Sequence, residues 1–326
     1  MTDTGVVDPI RVPEWLHDGT RRAWDRTPRV ARLFIGLAIV DVVSRWFGIL
    51  QPPQGDFPDL RGLYAFFIPR DLWILLPAIL LLRRPDASQA TPLVYLGAAV
   101  VAVMQLVSGP IRNLLGYSDV SSILFLSSAL ALVAGSGWLL LARGVRRLNP
   151  AEPTPTTAGF SNLVLGFSLL GTAVAAVASL LQIATNDLGV STGGFDLLST
   201  AASTVEQVVW AYLLWIVIRG MGDTRRPGIA LTTAAAGAAV TGILTGFSTV
   251  LGEVVLATQP SLAFWTGSGL QDLYNSLGFI AIAVGEALIV VAFALGLAEP
   301  PIPYAAPTGA QPQPAPEPAQ PGALPT

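Results

Sequence analysis

The chain contains no cysteine, no lysine and a single histidine, His17. Without cysteine it has no disulfide, thiolate metal site, iron–sulfur ligation or cysteine nucleophile. Without lysine it has no Walker A contact to nucleotide phosphates and no Schiff base to retinal or pyridoxal. All 18 basic residues are arginine. His17 lies in a polar N-terminal segment, away from every apolar run, which argues against haem held between helices and against His-based zinc. No cofactor and no metal is therefore expected. Charge is scarce as well: 12% of the 326 residues are charged and 52% are hydrophobic, where a soluble domain carries about 25% charged residues. Mean hydropathy is +0.60. A chain this poor in charge cannot clothe a water-facing surface, and the deficit runs along the whole length. The first 28 residues hold no apolar core followed by a small-residue cleavage site, so no signal peptide is expected.

What the chain does have is long apolar runs. A helix needs about 20 mostly apolar residues to cross the hydrocarbon layer. Runs of that kind lie near 31–50, 62–82, 91–109, 121–142, 161–183, 199–219, 229–252 and 276–297. The second is the least regular, because Pro69-Arg70-Asp71 interrupts it. The expected fold is an all-α polytopic membrane protein with about eight transmembrane helices. Arginine sets the orientation. With the N-terminus in the cytoplasm, fourteen arginines fall on cytoplasmic segments, among them Arg83, Arg84, Arg143, Arg146, Arg147, Arg219, Arg225 and Arg226. Three fall outside (Arg61, Arg70, Arg112), and Arg45 lies within a span. That bias places both termini in the cytoplasm of a cell (plasma or inner) membrane protein.

The segment 148–160, LNPAEPTPTTAG at its core, is proline-rich and has no apolar period, as a linker should be. It divides the chain into a basic N-terminal segment (1–30), a four-helix half (31–147), the linker, a second four-helix half (161–298) and a Pro/Ala-rich tail (299–326). The halves share marks. Trp73 and Trp210 each precede an apolar run and a cytoplasmic turn with Arg-Arg-Pro, and RLFIGL aligns with NLVLGF. Such a repeat would be parallel, related by an axis along the membrane normal. Gly242 and Gly246 stand at GxxxG spacing in a run of small residues, which lets helix backbones approach closely. The tail cannot bury a core and is expected to be extended or disordered, with a proline-reading protein domain as its conceivable partner. The arginines at 21, 22, 26, 29 and 32 fit anionic lipid headgroups, worth about 1 kcal/mol each near the surface. They need no nucleic acid to explain them.

Ionisable groups at mid-bilayer cost at least about 2.5–3.5 kcal/mol, so each needs an account. Glu286 sits at the centre of the last run, in AIAVGEALIVV. Asp41 is followed one turn later by Arg45, at the spacing of an internal ion pair. Glu206 with Gln207, Glu253 and Gln105 complete the set. Four carboxylates facing one arginine in a shared cavity could not all be ionised cheaply. That is the electrostatics of a secondary transporter or channel-like permease for a small solute or cation, with Glu286 the group expected to titrate. The transport candidates are thus Glu286, Asp41, Arg45, Glu206, Gln207 and Glu253, and the chain is expected not to be an enzyme. A non-catalytic membrane subunit or scaffold is the alternative, in which the same residues face separate packed interfaces. A third reading starts from Gly220-Met221-Gly222-Asp223. This GMGD resembles the GxGD signature of intramembrane aspartyl peptidases, particularly prepilin peptidases. The resemblance covers only these few residues and implies a second aspartate, for which Asp86 is the candidate.

Overall fold

A computed structural model describes residues 27–50, 72–115, 120–148, 153–185, 194–220, 229–258 and 276–297. Among them every regular element is a helix and none is a strand. The helices are α1 (Arg29–Leu50), α2 (Leu72–Arg83), the single turn α3 (Ala87–Ala90), α4 (Pro92–Leu115), α5 (Val120–Leu148), α6 (Pro155–Thr185), α7 (Phe195–Arg219), α8 (Ile229–Thr258) and α9 (276–297). Each coincides with an apolar run of the sequence, apart from α3. Five are long and apolar enough to cross a membrane: Leu124–Leu148, Pro155–Leu181, Phe195–Arg219, Ile229–Val254 and Ser276–Gly296. Leu72–Arg83 and Pro92–Ser108 are shorter apolar helices. The residues before Leu72 that would lengthen α2, including Pro69-Arg70-Asp71, lie outside the described residues, as do the linker's centre and the tail.

The apolar surface points outward as well as inward. In the apolar window of α6 only 11% of residues are buried, while Leu170, Val177 and Leu181 are exposed. Contiguous apolar surface of this extent is rare on soluble monomers and fits a lipid-facing helix.

Close helix approaches build the interior, and glycine permits them. A methyl group on Gly97 of α4 would come within 2.9 Å of the Gly137 carbonyl oxygen on α5, and one on Gly137 within 3.3 Å of the Gly97 carbonyl. The same contact joins α8 to α9, where a methyl on Gly237 would meet the Gly285 carbonyl oxygen at 2.7 Å. Gly97 and Gly237 each open the sequence Gly-Ala-Ala-Val. Both pairs are antiparallel. Two further contacts correspond in the same way: α5 lies against α7, and α9 lies against α2. Trp138 meets Trp210 across the first, while Trp73 meets Phe293 across the second. Gly135 and Trp138 of α5 face Glu206 and Trp210 of α7 in the same order along the chain, so those two helices run parallel. Trp73 meets Glu286, and Arg83, ten residues on, donates to the Ala294 carbonyl, so α2 and α9 are parallel too.

These directions gather Arg83, Arg84, Arg143, Arg146, Arg147 and Arg219 at one end of the bundle. There the Arg219 guanidinium lies 4.3 Å from the centre of the Trp215 ring, a cation–π contact. The GxxxG glycines are spent inside the fold. Gly242 packs on Val164, Ser168 and Leu214, and Gly246 on Phe167. That face of α8 is covered by α6 of the same chain.

Candidate functional site

At the middle of the bundle three indoles meet. Trp73 of α2 lies edge-on to Trp138 of α5 with centroids 4.8 Å apart, and Trp138 is 4.6 Å from Trp210 of α7. Trp73 and Trp210, matched as repeat partners in the sequence, stand 6.3 Å apart. Trp73 is fully buried in a short helix that contains Pro77. Proline has no N–H, so the Trp73 carbonyl lacks its usual partner one turn on.

The Trp73 indole N–H donates to Oε2 of Glu286 at 3.3 Å, across 213 residues of sequence. Glu286 is 7% exposed. A buried carboxylate requires donors, and a hydrogen bond to a charged group contributes about 1.5–3 kcal/mol. Glu286 closes the π-helical stretch Ala281–Glu286, which is followed by the regular stretch Ala287–Ala292 and a second π stretch, Phe293–Leu297. The wider π turn shifts every later side chain around the axis, and such turns recur at functional sites. Gly296, at φ 126°, breaks the helix near its end. Next to Glu286, Gly285 lies against Thr241 of α8, whose hydroxyl donates to the Ala281 carbonyl at 3.4 Å.

Glu286 borders a cavity of about 250 Å³. Its polar lining comes from four helices: Gln105 of α4, Glu206 and Gln207 of α7, Thr241, Thr245 and Ser248 of α8, and Glu286 of α9. Trp138 and Trp210 form its indole walls. By helix rise Gln105, Glu206, Gln207, Thr241 and Glu286 lie about 15–20 Å from the arginine-bearing end, at mid-depth, with Thr245 and Ser248 farther along α8. A second cavity, of about 170 Å³, shares Gln207, Trp210, Thr241 and Thr245 with the first and reaches Ser168, Thr172 and Thr249. The two cavities adjoin through these four shared residues and make up a chamber lined by α4 to α9, with the carboxylates on its larger part.

The sequence candidates divide accordingly. Glu286, Glu206 and Gln207 are brought together, and Gln105 joins them. Asp41 sits half-buried on α1, which packs chiefly on α2, and is not part of the lining. The Arg45 side chain lies outside the described residues, and with it the expected Asp41–Arg45 pair. Glu253 is on α8, beyond Ser248 and Thr249, and lines neither cavity. Asp223 is outside the described residues, while Asp86 is exposed beside α3. Among the described residues, no group of three or more His, Cys, Asp or Glu is arranged to hold a metal.

The hydroxyl lining was missed in the sequence, although a signal exists. Thr241, Thr245 and Thr249 recur every four residues and so share one face of α8, and Ser168 and Thr172 do the same on α6. Comparison with protein-family models, with curated proteins and with solved structures returns no match.

Proposed function

We propose that the chain is a membrane transporter or permease that moves a small solute through the mid-depth chamber. One observation carries the reading: two carboxylates and two carboxamides from three different helices converge on a single cavity rather than facing separate packed interfaces. A buried glutamate, Glu286, and a half-buried one, Glu206, at the wall of one cavity suit the binding of a polar solute at mid-depth. Transporter sites commonly lie at the midplane, at the interface of internal repeats. In this reading the chain has eight spans in two parallel four-helix halves, with both termini cytoplasmic. The paired glycine contacts, α4 on α5 and α8 on α9, support that arrangement, as do the paired crossings of α5 on α7 and α9 on α2. The convergence of arginines at one end of the bundle fits the orientation.

The test is flux through the purified full chain in proteoliposomes, screened over cationic, neutral and anionic small solutes with and without a pH gradient. Glu286→Gln and Glu206→Gln should insert and fold normally yet reduce flux by about ten-fold or more, the loss expected for one charged contact. A folded wild-type protein that moves no solute would instead assign the chain to a scaffold or subunit role.

A further inference from the structure

We infer that the solute is a small organic cation bearing N–H donors, an amine or guanidine rather than a bare metal ion, a sugar or an acid. This rests on the transport reading and names its substrate class. The argument begins with where the hydroxyl protons go. Ser168 Oγ donates to the Val164 carbonyl at 2.9 Å, Thr172 Oγ1 to the Ser168 carbonyl at 2.9 Å, and Thr249 Oγ1 to the Thr245 carbonyl at 2.9 Å. Thr241 Oγ1 donates across to Ala281 on α9. A hydroxyl has one proton and two lone pairs. With their protons committed to backbone carbonyls, these four side chains present acceptors to the chamber. An uncharged polyol needs donors and acceptors in balance, and an anion needs donors, so these four hydroxyls favour neither.

Charge points the same way. Glu206 and Glu286 line the larger cavity, and among the described residues no arginine or histidine lines either one. Trp138 and Trp210 add indole walls, and a cation within about 6 Å of an indole face is attracted to it. Gln105 and Gln207 can turn either end of their amides to the solute. Size favours a solute larger than a bare ion. Inorganic cations such as calcium take about 6–8 oxygens at 2.3–2.6 Å, a tight cage. A chamber of about 250 Å³ adjoining one of about 170 Å³ has the volume of roughly a dozen waters and walls that are partly indole. Acceptors, carboxylates and aromatic walls in a space of this size suit a compact ammonium or guanidinium.

Binding to the full chain in detergent, measured by calorimetry, separates the classes with four probes. These are n-butylammonium, methylguanidinium, its neutral isostere methylurea, and butyrate. The two cations should bind saturably, and methylurea and butyrate about ten-fold more weakly or not at all. Glu286→Gln and Glu206→Gln should each weaken cation binding by about ten-fold, and Thr172→Val and Thr249→Val, which keep shape and lose an acceptor, by a smaller factor. Glu253→Gln, outside the chamber, should leave binding unchanged. Methylurea or butyrate binding as tightly as the cations would overturn the cation assignment and leave a solute site standing. Absence of binding by all four, together with absence of flux for any solute, would overturn both readings.

Discussion

Gly285 and Gly237 face one another where α8 crosses α9, with no room for a methyl group on either. A Cβ at Gly237 would lie 2.7 Å from the Gly285 carbonyl oxygen and 2.9 Å from the Ile289 amide nitrogen, both backbone atoms that cannot rotate away. Gly237→Ala should therefore destabilise the protein by about 1–3 kcal/mol, the usual cost of overpacking. Gly36 of α1 has nothing within 4 Å of its added Cβ. Gly36→Ala should be neutral or stabilising by up to about 1 kcal/mol, through helix propensity alone. Thermal unfolding of the purified variants decides the matter, and equal melting temperatures would refute the crossing geometry. The crossing also carries the site: Gly285 is the residue before Glu286, so the carboxylate is placed by how closely α9 can approach Thr241. At this scale the sequence was informative about charge and silent about partners. A glutamate in the middle of an apolar run identifies itself, but nothing local reveals that its donor is an indole 213 residues away.

Helices were the most legible level. Apolar runs long enough to span a bilayer have few alternatives, because every backbone amide in lipid must be satisfied within its own segment. What period and length do not reveal is a π turn, since AIAVGE continues the apolar run of its α-helical neighbours apart from Gly285 and Glu286. They also leave open which neighbour a small-residue face will meet. For α8 that neighbour is α6. A Cβ on Gly171 would come within 2.9 Å of the Gly246 Cα, and one on Gly246 within 2.8 Å of the Phe167 carbonyl carbon. Gly246→Val should push α6 from α8, lower the melting temperature by several degrees and open the smaller cavity. Oligomeric state, measured by light scattering, should not change. Dissociation of a wild-type dimer by this variant would show that the face serves assembly instead.

Across the whole molecule, arginine is the organising signal. Its alternation along the sequence is a statement about loops, yet in the fold it becomes a statement about one surface, because parallel crossings bring the ends of α2, α5 and α7 together. Reporter fusions after Ala151 and after Asp196 should give opposite cytoplasmic and external signals. Matching signals would remove an odd number of spans from between them and with it the two-half arrangement. The proposed repeat is faint in the sequence, as it would be if packing preserved only the residues it needs. Between α4 and α8 the shared residues are the four of Gly-Ala-Ala-Val and a serine, Ser108 and Ser248, while Val101 and Gln105 stand where α8 has Thr241 and Thr245. By the same glycine register, Trp138 of α5 stands where α9 has Glu286. Two similar frames thus carry different chemistry, with the hydroxyls and the acid on the α8–α9 side.

The three central tryptophans have an optical consequence. Their indoles lie 4.6, 4.8 and 6.3 Å apart at interplanar angles of 58°, 73° and 75°, so their ultraviolet transition dipoles are close and skewed. Dipoles so arranged absorb as one coupled chromophore and give a pair of circular-dichroism bands of opposite sign. Trp138→Phe removes the two closer pairs and should weaken that couplet, whereas Trp215→Phe, whose ring stacks on Tyr212 instead, should leave it intact. Because α2, α5 and α7 contribute one indole each, any sliding of these helices past one another must change the spectrum. The protein thereby carries an unlabelled, continuous readout of the geometry at its own centre.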